Sequence, residues 1–280
     1  MEPYYQTDLG TLYCGDCLEV MKGMPDGRVD LTVTSPPYDN LREYKGYVFD
    51  FEGIANQLYR ATKQGGVVVW VVGDETIDGS ETGTSFRQAL YFKEIGFNLH
   101  TMIWEKQTFT DTGSLKVRYP GVYEYMFVCS KGHLNTFNPI KDRPTKGLRK
   151  KYSTVRQADG TLKPISSIGK IYGEKPAQRF NVWKINTEVS NSKRCHPAQF
   201  PEQLAHDHVI SWSNEGDTVF DPMVGSGTVP KMCEKLSRKW VACDSSEEYC
   251  AISKDRIEKE AQQLKLFGIA KTSVGGNHDD

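Results

Sequence analysis

Thr218-Val-Phe-Asp221 runs straight into Pro-Met-Val-Gly-Ser-Gly-Thr228, and this junction restricts the possible folds more than any other stretch. Residues 218–221 have the make-up of a short buried strand, and Thr228–Leu236 reads as a helix whose first amides lack intrahelical partners. Between them, Gly225 and Gly227 allow a sharp backbone turn and leave no side chain to block a ligand. Lys239–Asp244 follows as a second strand, and the acid at its end can accept hydrogen bonds from both hydroxyls of a ribose. Strand, glycine turn, helix and strand in this order call for parallel pairing through a right-handed crossover. The turn then falls at the carboxyl edge of the sheet, where doubly wound folds take nucleotide-like cofactors. No Lys-Ser/Thr follows the glycines, so this is not a P-loop. Taken alone, Gly-x-Gly also fits a purely structural turn.

The same rhythm fills the first third of the chain. Val29–Thr34 is β-branched and stops at Ser35-Pro36-Pro37, since proline cannot continue a central ladder. Apolar residues at helical spacing predict a helix over 51–64, ended by Gly65-Gly66, and Val67–Val72 is a second buried strand. A helix over 85–95 and a strand over 98–104 complete the series, which predicts parallel crossovers. After the middle of the chain, helices are expected over 203–212 and 247–266, and the tail from 269 is expected to be disordered. The longest apolar run, Val67–Val72, has strand length, so no membrane span is expected. The first residues carry no leader pattern, and seven cysteines suit a reducing compartment better than a disulfide scaffold. A cytoplasmic protein is the expectation.

Charge divides the chain where hydropathy does not. The formal net charge is −1, yet residues 106–194 hold 18 Lys+Arg against 6 Asp+Glu. Everything outside that stretch is correspondingly acidic. The basic stretch interleaves Tyr119, Tyr123, Tyr125, Tyr152, Tyr172, Phe180 and Trp183, a footprint of polyanion recognition as well as of an ordinary solvated face.

Thr34-Ser-Pro-Pro-Tyr38 is the second loop with chemical content. Two prolines fix two φ angles and remove two N–H donors, so that carbonyl acceptors remain. Tyr38 supplies a stacking face. Acceptors at Ser35 Oγ and the Pro36 carbonyl suit an exocyclic amino group on a planar base, and would favour a pyramidal nitrogen with a localised lone pair.

Ser35-Pro-Pro-Tyr38, followed late in the chain by Phe220-Asp-Pro-Met-Val-Gly-Ser-Gly-Thr228, resembles the DNA amino-methyltransferases that use S-adenosylmethionine. Catalytic motif first, basic region next and cofactor loop last is the order of their permuted β class. Gly15-Asp16 is similar to that family's acidic position near the cofactor adenine. Ala61-Thr-Lys-Gln-Gly-Gly66 matches its Lys-Pro-Gly-Gly element with Gln64 in place of proline. His196-Pro-Ala-Gln-Phe-Pro201 resembles its element near the cofactor's methionine end, with Ala198 and Phe200 departing from the pattern.

The resemblance implies an α/β fold: a Rossmann-like class I methyltransferase sheet, circularly permuted in motif order, with an inserted target-recognition region. Residues 1–106 and 196–268 would be the catalytic and cofactor-binding halves of one domain, and 107–195 the recognition region. It implies catalysis at Ser35, Pro36, Pro37 and Tyr38. Cofactor binding would fall to Asp16, His196, Asp221, Pro222, Gly225, Gly227, Thr228 and Asp244. Lys141, Arg143, Lys146, Arg149, Lys150 and Lys151 would contact double-stranded DNA, most of them at phosphates. The implied reaction is direct methyl transfer to the amine of a flipped base, without a covalent cysteine intermediate. Ser before Pro-Pro-Tyr is more frequent among the N4-cytosine enzymes, so N4 of cytosine is slightly preferred, with N6 of adenine the alternative. A non-catalytic DNA-binding protein that keeps the fold is the reading from another class, and glutamine methylation in proteins is disfavoured by motif order and the basic insert. A cognate restriction endonuclease and the oligomeric state are left open. Cys14-Gly-Asp-Cys17 has no second pair at zinc spacing, so packed cysteines are expected there and no metal. His206 and His208 lie on different faces of their helix, and Met21, Met24, Trp70, Trp104 and Trp240 read as core.

Overall fold

The computed structural model describes residues 1–37, 49–107, 119, 121–144, 154–164, 176–187 and 201–266. Two compact units emerge: Met1–Asn138 together with Asn181–Asp280, and Pro139–Phe180. The second unit lies within the span 107–195.

In the first unit, chain order runs β1 (Tyr5–Gln6), β2 (Gly10–Cys14), α1 (Cys17–Lys22), β3 (Val29–Thr34), α2 (Phe51–Ala61), β4 (Thr62–Val72), the small hairpin β5 (Thr76–Ile77) and β6 (Ser80–Glu81), α3 (Thr84–Glu94), β7 (Asn98–Lys106) and β8 (Tyr123–Ser130). The second unit holds β9 (Lys141–Arg143), β10 (Thr154–Arg156), β11 (Leu162–Pro164) and β12 (Ala177–Gln178). Back in the first unit come β13 (Val182–Ile185), α4 (Glu202–Trp212), β14 (Thr218–Asp221), α5 (Thr228–Lys235), β15 (Lys239–Asp244) and α6 (Glu247–Leu266).

Among the described residues one sheet has the order β1-β2-β15-β14-β3-β4-β8-β7-β13. β2, β15, β14, β3 and β4 are mutually parallel, so their carboxyl ends share one edge. β4 and β7 run in the same direction as β3, and β8 lies between β4 and β7, antiparallel to both. No described helix separates β7 from β8, so the chain doubles back and slots β8 between β4 and β7. The helix expected over 51–64 stops at Ala61, because Thr62 is already extended (φ −70°, ψ 132°) and begins β4. Gly65, at φ +80°, lets that strand continue.

Local chemistry accounts for the helices. The Asp50 carboxylate accepts from the Gly53 amide at 2.9 Å, and Ile54, Ala55, Leu58 and Ala61 form the buried face of α2. Buried residues of α1, α2 and α3 share one cluster with Val68, Trp70 and Val72 of β4. Because strand side chains alternate, Val67, Val69 and Val71 point to the opposite face, and these too are fully buried. Both faces of the central sheet are therefore covered, as a near-continuous apolar strand requires. Trp70, Trp104, Trp240 and Met21 are all core, whereas Met24 is half-buried. His208 is buried between Trp183 and Trp212, while His206 lies beside Asp207.

In the second unit, β9 pairs with β12 and β10 with β11, both antiparallel. The Arg143 guanidinium stacks over Phe180 at 4.2 Å and donates from Nε to the Gln178 carbonyl at 3.0 Å, while Arg179 pairs with Asp142.

Candidate active site

Five parallel strands deliver their last residues to one edge of the sheet. β2 leads into Gly15-Asp16, β15 ends in Asp244, β14 in Asp221, and β3 runs into Ser35-Pro36-Pro37. β14 and β3 lie side by side with Val219 opposite Leu31, although the chain departs from β14 in the other direction, toward β15. This reversal is the switch point at which open α/β sheets form their ligand crevice.

A buried hydrogen bond joins the two chemical loops there. Thr34, the last residue of β3, donates its hydroxyl to Asp221 Oδ1 at 2.9 Å, across 187 positions of sequence. The Met223 amide donates to the same oxygen at 3.2 Å. Asp221 is only 5% exposed, and burial raises its carboxyl pKa to about 7. The Thr34 and Met223 hydrogen bonds pull the other way, while the nearby Asp244 adds to the rise. Asp221 thus sits in the wall between the loops. Pro222 is buried behind it and accepts from the Cys243 thiol at 3.3 Å.

The glycine loop takes the shape its composition allows. Gly225 and Gly227 have φ of +51° and +77°, and a Cβ on Gly227 would lie 2.9 Å from the Ser253 Cα of α6. Gly227 caps the N-terminus of α5. The Gly225 amide donates to Asp244 Oδ2 at 2.9 Å, and the Ser246 amide to Oδ1 at 2.9 Å. The Asp244 carboxylate is thereby fixed in orientation at half-burial. One fixed acid beside a glycine loop fits a ribose diol. Thr228 is buried, 3.3 Å from the Ser226 hydroxyl.

Asp16 stands one strand further along, half-buried, and caps α1 by accepting from the Leu18 amide at 2.6 Å. The Gly15 amide donates to the Asp244 carbonyl at 2.8 Å, which brings the two acids to adjacent strand ends. Cys17 beside them has its thiol pushed up to about 12, by burial first and then by Asp16. Cys243 and Cys250 are raised as well, mainly by burial. These thiols stay protonated at neutral pH and are poor nucleophiles. Among the described residues no three His, Cys, Asp or Glu side chains form a metal-holding group.

Ser35 and Pro37 are half-buried and Pro36 is buried at the end of β3. Tyr38, His196, Lys146, Arg149, Lys150 and Lys151 lie outside the described residues. Lys141 and Arg143 are on β9 of the second unit. Sequence reasoning passed over Thr34 as a tie to Asp221, and Ser253 and Arg256 of α6, which hold the glycine loop from behind. Ser253 and Arg256 sit three apart and so share a helix face, but nothing in their spacing says which loop that face meets.

Fold and site together define a class I methyltransferase with a Rossmann-like sheet and permuted motif order. The family model described as DNA methylase, for N6 and N4 enzymes, matches residues 29–255, and the chain belongs to that family. The orphan methyltransferase M.BamHII of Bacillus amyloliquefaciens is 50% identical over 244 residues, covering 83% of this chain and 90% of that protein. The type II methyltransferase M.ScaI of Streptomyces caespitosus is 29% identical over 277 residues, covering 94% and 86%. Among solved structures, the cytosine-N4-specific PvuII DNA methyltransferase superposes with a TM-score of 0.67 at 20% identity, over 94% of this chain and 95% of that one. M1.HpyAVI, solved as a complex with SAM, gives a TM-score of 0.60 at 21% identity, over 89% and 99%. These two likenesses concern the fold. No helix among the described residues is long and apolar enough to cross a membrane.

Proposed function

We propose that this DNA methylase transfers a methyl group from S-adenosylmethionine to the exocyclic amine of a flipped base in double-stranded DNA, N4 of cytosine ahead of N6 of adenine. The observation that carries the reading is the Thr34–Asp221 hydrogen bond, which holds the amine-accepting loop against the glycine loop. The SAM complex of M1.HpyAVI supports the donor. Ser35 and the fold-level likeness to a cytosine-N4-specific enzyme support the base.

S-adenosylmethionine supplies a methyl group on an electrophilic sulfonium. When it is bound, Asp244 would accept from its ribose hydroxyls, and the family resemblance would assign Asp16 to its adenine and His196 to its methionine end. Gly225, Gly227 and Thr228 keep the approach clear, while Asp221 and Pro222 shape the wall. On the other side, Ser35 Oγ and the Pro36 carbonyl accept the two amino hydrogens, Pro37 stiffens the loop, and Tyr38 stacks on the base. A base still stacked in the duplex cannot reach these groups, so the target nucleotide turns out of the helix. Holding the two reactants in line supplies much of the rate, and no strong base is needed, because the methylated ammonium is acidic enough to give its proton to water.

Residues 107–195 form the target-recognition region in this reading, with 1–106 and 196–268 the two halves around it. Lys141, Arg143, Lys146, Arg149, Lys150 and Lys151 all fall in the compact unit Pro139–Phe180 and meet phosphates. The relatives cited include a type II enzyme and an orphan, so the reading holds with or without a companion endonuclease.

The test is incubation with unmethylated genomic DNA and S-adenosylmethionine, followed by nucleoside mass spectrometry, with Asp244→Ala as control. N4-methylcytosine upholds the proposal, N6-methyladenine overturns the choice of base, and neither mark overturns the activity on DNA.

A further inference from the structure

Helix α6 grips the glycine loop from behind, and the grip extends to a second helix. The Ser253 hydroxyl donates to the Gly225 carbonyl at 2.8 Å. One turn on, Arg256 donates from one guanidinium nitrogen to the Ser226 carbonyl at 2.7 Å, the Ser226 hydroxyl at 2.8 Å and the Thr228 hydroxyl at 3.1 Å. Its other terminal nitrogen reaches Glu202 Oε1 at 2.7 Å, in the first turn of α4. Lys231 of α5 meets the same oxygen at 2.7 Å and Glu260 of α6 at 3.7 Å. With the carbonyls of Gly225 and Ser226 drawn toward α6, the Gly225 amide is left to face Asp244. The family match ends at residue 255, one short of this arginine.

We propose that Arg256 is a positioning residue for the cofactor loop: its guanidinium fixes the loop's carbonyls and hydroxyls, and through Glu202 ties the loop to the start of α4. The inference rests on the reading of residues 221–228 as the cofactor loop. Arginine is the side chain for the task, because its planar fork serves the loop with one nitrogen and the carboxylate with another. A lysine offers a single compact charge and cannot span both. Burial pushes the Glu202 carboxyl up, yet the hydrogen bonds and charges of Lys231 and Arg256 outweigh it and hold the group ionised.

The experiment compares the full chain with Arg256→Ala, Arg256→Lys and Glu202→Gln. Lys259→Ala serves as control, since its ion pair with Asp255 lies on the exposed face of the same helix. Amide hydrogen exchange is read over residues 221–229 in the ligand-free proteins. S-adenosylmethionine affinity is measured by calorimetry, and kcat and KM on DNA. Arg256→Ala is expected to speed loop exchange and to raise the Kd and KM for S-adenosylmethionine about ten- to a hundredfold, with kcat changed by less than about threefold. Arg256→Lys should fall between Arg256→Ala and wild type, and Lys259→Ala should match wild type. Loop exchange equal to wild type in the Arg256 variants, or a loss in kcat with cofactor affinity intact, overturns the proposal. Should Arg256→Ala not fold, Arg256→Lys and Glu202→Gln carry the same comparison. Exchange needs no cofactor, so a wild-type protein that gives no heat with S-adenosylmethionine defeats the functional reading while the exchange result still decides the role of Arg256.

Discussion

Asp221 concentrates the residue-scale physics of the site. Its carboxyl titrates near 7 in the folded chain, because burial disfavours the charged form, against an ordinary value of 3.8 when unfolded. Between those two values the folded state holds the proton and the unfolded state does not. The contribution to stability is therefore full below about pH 4 and is lost as pH rises through 7. Asp221→Asn keeps a carbonyl acceptor for Thr34 without the ionisation. Relative to wild type, this variant should gain roughly 1–3 kcal/mol between pH 5 and pH 8, read from urea unfolding at the two values. A constant difference across that range would contradict the buried titration. Ser35→Ala tests the other loop: kcat should fall about 10- to 100-fold with S-adenosylmethionine affinity unchanged, since in the proposed reading the lost acceptor would face the amine and not the cofactor.

At the scale of elements, the turn between β14 and α5 tolerates little change. Gly227 combines a left-handed backbone with a Cβ direction that meets the backbone of α6. Gly227→Ala should cost about 2–4 kcal/mol, seen as a lower urea midpoint, and should weaken cofactor binding because the loop can no longer seat Asp244. Elements with self-contained signals were legible in the sequence: Val29–Thr34, Thr218–Asp221, Lys239–Asp244 and Glu247–Leu266 have the observed bounds. Gly10–Cys14 was not, since its place depends on pairing with β15, whose residues lie more than 200 positions away. Val182–Ile185 was missed for a similar reason, as four residues in a basic, aromatic stretch become a strand only through the edge that β7 offers. The strand β8 has a clear apolar pattern of its own, but its antiparallel direction is set by which neighbours it enters between. Of the candidate site, the glycine turn and the place of Asp244 at a strand end could be read directly, whereas the inward position of Asp221 depends on Thr34 across the sheet.

For the whole molecule, the uneven charge is the feature with a measurable consequence. Residues 106–194 carry a threefold excess of basic over acidic side chains in a chain whose net charge is near zero. Reversing Arg149, Lys150 and Lys151 to glutamates should weaken DNA binding and flatten its dependence on salt, because fewer counterions are released. An unchanged slope of log affinity against log salt would remove this segment from the interface. The order of strands in the sheet has its own consequence for how the enzyme comes into being. β14 and β15 are among the last strands made, yet they lie between β2 and β3, which are among the first. On the ribosome, Thr34 precedes its partner Asp221 by 187 residues, or roughly ten to forty seconds of synthesis. Throughout that interval the nascent chain lacks the two strands that lie between β2 and β3, and with them the glycine turn, so in the proposed reading it could not mark DNA before it is nearly finished. A late stop in translation would open this sheet in the middle rather than trim it at the edge.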